Sequence, residues 1–136
     1  MLIAEADGPL TYKTGNCTVT SGVWNDPNTG TTFTLPSDVD IDHMVALADA
    51  HRSGGWTWST VKKRAYANDL DHPETLIAVD DGSNSSKSDK SPDQWLPPNG
   101  SYQCTYATEW VSVKATWSLT VTAPERAALD SLLQTC

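Results

Sequence analysis

Residues 38–43 read Asp-Val-Asp-Ile-Asp-His, and residues 76–89 read Leu-Ile-Ala-Val-Asp-Asp-Gly-Ser-Asn-Ser-Ser-Lys-Ser-Asp. The first run alternates acid and β-branched residue with the period of two that a strand requires. A regular strand sets Asp38, Asp40 and Asp42 on one face and Val39, Ile41 and His43 on the other. The second run opens as a short apolar strand, Leu76 to Val79, and turns at Asp80-Asp81-Gly82-Ser83. It continues into a polar segment, Asn84 to Asp89, of one or two helical turns. Two strands and a short helix, with about 30 residues between the strands, read as elements of a small α+β domain.

Outward from that centre, Val45, Leu47, Ala48 and Ala50 suit a short helix that Ser53-Gly54-Gly55 stops. A second helix fits Ser59 to Ala67 with Ser59 as its N-cap. Lys62, Lys63 and Arg64 occupy successive positions of it and so cannot all face one way. Upstream, residues 1–22 read as an irregular opening, Asn25 to Gly30 as a turn cluster, and Thr31 to Thr34 as a strand. Downstream, Pro92, Pro97 and Pro98 make residues 91–100 a rigid connector around Trp95.

The C-terminal third has the clearest local signal. Tyr102, Tyr106, Trp110, Val113 and Trp117 recur at helical spacing. Thr122-Ala123-Pro124-Glu125 is a capping box with Pro in the first turn of a last helix carrying Ala127, Leu129, Leu132 and Leu133. An antiparallel hairpin of these two helices brings Cys104 to Cys136. Closing that loop of about 30 residues stabilises the fold by roughly 3 to 4 kcal/mol on the chain-entropy estimate. Cys17 is left over, either as an inert buried thiol or as the orphan of an upstream partner.

The whole chain is 136 residues, one domain's length, with 17 Asp and Glu against 9 Lys and Arg and a net charge of −8. At 38% hydrophobic and 19% charged residues it is neither a disordered acidic tail nor a membrane span. A surface that grips nucleic acid everywhere is excluded by the sign of the charge. Any phosphate-binding face must be local. Six of the nine cations lie between Arg52 and Lys90, namely Arg52, Lys62, Lys63, Arg64, Lys87 and Lys90, which makes that stretch the place for one. Three Cys, six Trp, a Ser/Thr/Asn/Gly-rich texture and sequons at Asn16, Asn84 and Asn99 suit a secreted protein. Glu5 and Asp7 follow Met-Leu-Ile-Ala directly, so the start lacks the pattern of a signal peptide.

The chemistry rests on the histidines and aspartates. His72 in Asp-His-Pro and His51 beside Arg52 read as surface residues, whereas His43 closes the acidic strand. Asp38, Asp40, Asp42 and Asp49 match positions 1, 3, 5 and 12 of a calcium loop numerically. The match fails because His43 stands where the sharp turn needs Gly and because Val39 and Ile41 favour extended backbone.

Asp42-His43, the strand at Leu76, and Asn84-x-x-Lys87-x-Asp89 together resemble the HNH, or ββα-metal, endonucleases. The resemblance is closest to their secreted microbial branch and runs along nearly the whole chain. It includes Cys17-Thr18-Val19-Thr20-Ser21-Gly22-x-Trp24, Asp26-Pro27-x-Thr29-Gly30, Arg52-Ser53-Gly54, Arg64-Ala65-Tyr66-Ala67-Asn68-Asp69 and Trp95-Leu96-Pro97-Pro98. It implies a single nuclease domain over residues 1–136 built on a ββα-metal motif, a monomer without membrane contact. Relatives carry a further segment before residue 1 with a Cys-x-x-Arg element, the expected source of a partner for Cys17.

The implied activity is secreted, metal-dependent hydrolysis of phosphodiester bonds in DNA, and in RNA as a second substrate, with little sequence preference. His43 is then the general base, Asp42 and Asn84 hold one Mg²⁺ or Mn²⁺, and Asn84 and Lys87 complete the catalytic set. Lys87 either contacts phosphate or pairs with Asp89; Arg64 either reaches phosphate or pairs with Asp69; Asn68 either serves the site or caps its helix. Consecutive strand residues point opposite ways, yet Asp42 and His43 must serve one site, so the strand is expected to end or bulge there. The family has Pro where Ala46 stands, Phe where Tyr66 stands and an amide where Thr75 stands, which leaves Thr75 fewer bonds with which to fix the first strand. The rival from another class is an extracellular binding or effector module that has kept this fold with weak catalysis.

Overall fold

A computed structural model describes residues 2–136. Two two-stranded antiparallel sheets come first, a third encloses two helices between its strands in the middle of the chain, and helices make up the rest. Residues 2–22 are more ordered than the sequence suggests: β1 (Thr11–Tyr12) pairs with β2 (Val19–Ser21). Strands of two and three residues are too short to show a period of two, which is why they escape a pattern search. The turn cluster behaves as expected and joins β3 (Trp24–Asp26) to β4 (Thr31–Phe33). The Asp26 carboxylate accepts the amides of Asn28 and Thr29 inside this turn.

The central hairpin pairs β5 (Val39–His43) with β6 (Leu76–Asp80) over five rungs, from Val39 opposite Asp80 to His43 opposite Leu76. Between them lie α1 (Leu47–Arg52) and α2 (Thr60–Ala67), the latter capped by the Ser59 hydroxyl on the Lys62 amide. The turn after α1 depends on two glycines. Gly54 has φ +123, and a Cβ on Gly55 would stand 2.7 Å from the Ala50 carbonyl oxygen. Directly after β6 comes α3 (Asp81–Lys87), which starts three residues earlier than the sequence predicts because Asp80 caps it, accepting the Ser83 amide at 2.7 Å.

Helices α4 (Gln103–Thr116) and α5 (Ala123–Leu133) form the expected hairpin, closed by a Cys104–Cys136 disulfide with Cα atoms 5.6 Å apart. Cys17 is free and exposed. Thr122 and Glu125 complete the predicted capping box in both directions.

Two apolar clusters flank the central hairpin. Met44, Val45, Tyr66, Tyr106, Trp110 and Leu129 form the larger one; Trp24, Val39 and Ala78 form the smaller. Trp24 and Trp110 are fully buried, and truncating either to Ala would cost about 3–5 kcal/mol. β5 therefore begins in one core and leads into the other, which fixes the position of the residues at its end.

Candidate functional site

Helix α3 lies across the face of β5 that carries Asp40 and Asp42 and is bonded to it at two levels. The Asn84 amide nitrogen donates to the Asp40 carboxylate at 3.1 Å. One turn on, the Lys87 ammonium donates to the Asp42 carboxylate at 2.5 Å and to the His43 carbonyl at 2.7 Å. Positions i and i+3 of a helix share a face, as do i and i+2 of a strand, so the sequence spacing alone permits this double stitch.

Lys87 is fully buried and Asp42 is 6% exposed. Burial pushes the Asp42 carboxyl up and the Lys87 ammonium down, each opposed by the charge of the other. This corrects the pairing expected for Lys87: its partner is Asp42, while Asp89 binds Arg52 at 2.7 Å. With no exposed surface, Lys87 touches no phosphate in this state of the protein.

The strand ends at His43, one of the two outcomes expected, and does so without a bulge. Pairing runs through Asp42 opposite Ile77 and His43 opposite Leu76 without a register shift, so the two side chains leave on opposite faces. His43 faces α2, where its Nε2 lies 3.2 Å from the Ala67 carbonyl oxygen and its ring sits 5.7 Å from that of Tyr66. Tyr66 is itself fixed, fully buried and donating its hydroxyl to the Val45 carbonyl. A carbonyl only accepts, so Nε2 carries the hydrogen and the neutral ring keeps its lone pair on Nδ1. Desolvation lowers the His43 pKa, aided by the Lys87 charge and opposed by the bond to Ala67.

Thr75 supports β5 through its backbone: its carbonyl accepts the Met44 amide at 3.0 Å, while its buried hydroxyl turns to Asp69 at 2.9 Å. Asp69 also accepts from His72 and the Trp117 indole. Burial pushes its carboxyl up, but these bonds outweigh that and hold it low. Arg64 makes no ion pair with Asp69 among the described residues; it is exposed, and its carbonyl accepts the Asn68 side-chain amide at 2.8 Å as Asn68 ends the helix. Asp81 stands beside Asp40, and their mutual hydrogen bond and like charge raise the Asp81 carboxyl.

The structure thus gathers Asp40, Asp42, Asn84 and Lys87 on one side of β5 and His43 on the other, with Arg64 apart on α2. The oxygens that suit a hard divalent cation are those of Asp42 and the Asn84 carboxamide, with Asp40 and Asp81 adding negative charge beside Asn84. Lys87 holds one of the two Asp42 oxygens, so a cation binding through that oxygen competes with the ammonium. Among the described residues no three His, Cys, Asp or Glu side chains are grouped to hold a metal ion by themselves.

Sequence reasoning missed the groups that orient His43, the Ala67 carbonyl and the Tyr66 ring. A backbone acceptor leaves no trace in residue identity. Tyr66 did signal itself as the one large aromatic within a polar helix.

Comparison with known proteins bears on this geometry. The family model for the C-terminal domain of GmrSD restriction endonucleases matches residues 5–131. An uncharacterized secreted protein of Arthroderma benhamiae is 46% identical over 134 residues, which cover 98% of this chain and 65% of the relative. The chain therefore spans less than two thirds of that relative's length. No solved structure matches significantly.

Proposed function

The chain belongs to the family of GmrSD restriction endonuclease C-terminal domains, and from that premise we propose that it is a secreted, metal-dependent endonuclease. It cleaves phosphodiester bonds of DNA, and of RNA as a second substrate, with His43 as general base and little sequence preference. The observation that carries this reading is the bond from His43 Nε2 to the Ala67 carbonyl. It holds the ring in one orientation and leaves Nδ1 as the free basic nitrogen.

In this reading His43 Nδ1 takes a proton from water, and the resulting hydroxide attacks phosphorus. The 3′ or 5′ ester oxygen leaves with the electron pair of the broken P–O bond. A divalent cation held by Asp42 and Asn84 supplies, when bound, the positive charge that neutralises the leaving oxygen. Lys87 holds one Asp42 oxygen, so its ammonium competes with a cation binding through that oxygen. Because Asp42 and His43 project from opposite faces of β5, one phosphodiester meets both only across the strand's end at His43-Met44.

Secretion agrees with the description of the Arthroderma relative and with the Cys104–Cys136 disulfide. No helix of the described residues is long and apolar enough to cross a membrane. The closed Asp42–Lys87 pair favours a second reading, a weakly catalytic extracellular effector module of the same fold. A plasmid-nicking assay separates them: the nuclease nicks DNA with Mg²⁺ or Mn²⁺ and stops with EDTA, and the effector module leaves the plasmid intact.

A further inference from the structure

A cavity of about 250 Å³ opens between α1, the Gly54-Gly55 turn and α2, with Leu47, His51, Trp58, Lys63, Tyr66 and Ala67 among its walls. Two of those walls are the neighbours of His43: the Tyr66 ring and the residue whose carbonyl accepts from His43 Nε2. The cavity and the base therefore share a partition. Its volume lies below the range of about 300–1,000 Å³ that holds drug-sized ligands, so one flat ring system suits it.

The composition of the rim indicates what kind of ring. Leu47 is half exposed and Trp58 half buried at the mouth, an apolar surface left open in a protein this small. Lys62 places its ammonium 4.8 Å from the centre of the Trp58 ring, and Lys63 lines the opening. Lys62 and Lys63 are two of only nine cations in a chain of net charge −8. A local positive rim around an aromatic floor is the arrangement by which proteins hold a single nucleic acid strand, cations on the phosphates and aromatic rings against the bases.

We infer that this cavity is a nucleobase subsite: it takes one unpaired base of a DNA strand whose adjacent phosphate lies at His43. The inference rests on the nuclease reading for its substrate and deepens it by making the protein a reader of unpaired bases. It carries no sequence preference, because every base offers a π-face and the cavity wall holds few groups that could read an edge.

The test is binding without cleavage. A labelled single-stranded oligodeoxynucleotide and an abasic strand of equal length and charge are titrated with protein in EDTA, with fluorescence anisotropy as the readout. The wild type should bind the base-bearing strand at least about tenfold more tightly than the abasic one. Trp58→Leu should remove that preference without changing the abasic affinity, Lys63→Ala should weaken both strands alike, and Trp56→Ala, at an exposed tryptophan outside the cavity, should preserve it. Equal affinity of the wild type for both strands overturns the inference, as does a preference that survives Trp58→Leu or vanishes with Trp56→Ala. If Trp58→Leu fails to fold, the two strands on the wild type still decide. Cleavage is not read, so a base preference without plasmid nicking would fail the nuclease reading alone, and nicking without a base preference would fail only the subsite.

Discussion

Two lysines are buried in this domain, and their surroundings differ. Lys114, on α4, meets Asp49 at 2.8 Å, Glu125 at 2.7 Å, the Ser53 hydroxyl at 2.9 Å and the Thr120 carbonyl at 3.0 Å. Four acceptors surround an ammonium that has three hydrogens, and Glu125 also accepts from the Trp110 indole while capping α5. Lys87 has one carboxylate and one carbonyl. The first site is over-supplied and ties α1, α4 and α5 together. The second holds the minimum that a buried charge needs, beside the residue read as the base. A saturated ion network fixes structure, whereas a sparse one leaves an oxygen that another cation can claim.

Lys114→Met is the sharpest way to break the comparison. It leaves Glu125 buried without its cation and Asp49 with only Arg52 at 3.6 Å, and should cost about 3–5 kcal/mol in urea unfolding, with no recovery in Mg²⁺. Replacing both Cys104 and Cys136 by Ser should cost roughly 3–4 kcal/mol by the same measurement. Lys87→Met strands a single carboxylate and should cost about 3 kcal/mol. Here Mg²⁺ or Mn²⁺ should restore part of the stability, because Asp42 is then free to bind it. A Lys87 variant indifferent to metal would make the two lysines equivalent and remove Asp42 from the ligand set.

Much of this contrast was invisible in the sequence. The order β5, β6, α3 was legible because β5 alternates cleanly and a polar segment follows β6, although its helix starts at Asp81 rather than at Asn84, and the α4–α5 hairpin was legible from aromatic spacing and a complete capping box. Which cation meets which carboxylate was not, since Lys87 and Asp42 are 45 residues apart and nothing local links them. Lys114 did leave a signal: it sits four residues after Trp110, on the stripe of Tyr106, Trp110 and Val113, where a charged residue needs a buried partner. The expectation that the strand ends or bulges at His43 came from requiring two side chains to share a face; the strand does end there, but with no bulge to turn the two together. The ladder satisfies its backbone bonds instead and leaves the two groups back to back.

Smaller effects sharpen the same picture. Asp69 is held below its usual range in the folded state, so its contribution to stability is complete above the unfolded value of about 3.9 and is lost as pH falls through the folded one. Unfolding followed below about pH 4 should therefore show a shallower loss for Asp69→Asn than for wild type. Of the three sequons, Asn84 and Asn99 commit their amide nitrogens to Asp40 and the Pro27 carbonyl. Peptide mapping of the secreted protein should find a glycan at Asn16 and none at the other two.

The central claim is that a histidine oriented by a backbone carbonyl activates water. His43→Ala tests it most directly, in a plasmid-nicking time course with Mg²⁺ beside His51→Ala and His72→Ala. A loss of about 10²–10⁴-fold is expected for His43→Ala, with a cooperative unfolding transition that shows its fold intact, and near wild-type rates for the other two. Wild-type nicking by His43→Ala would contradict it.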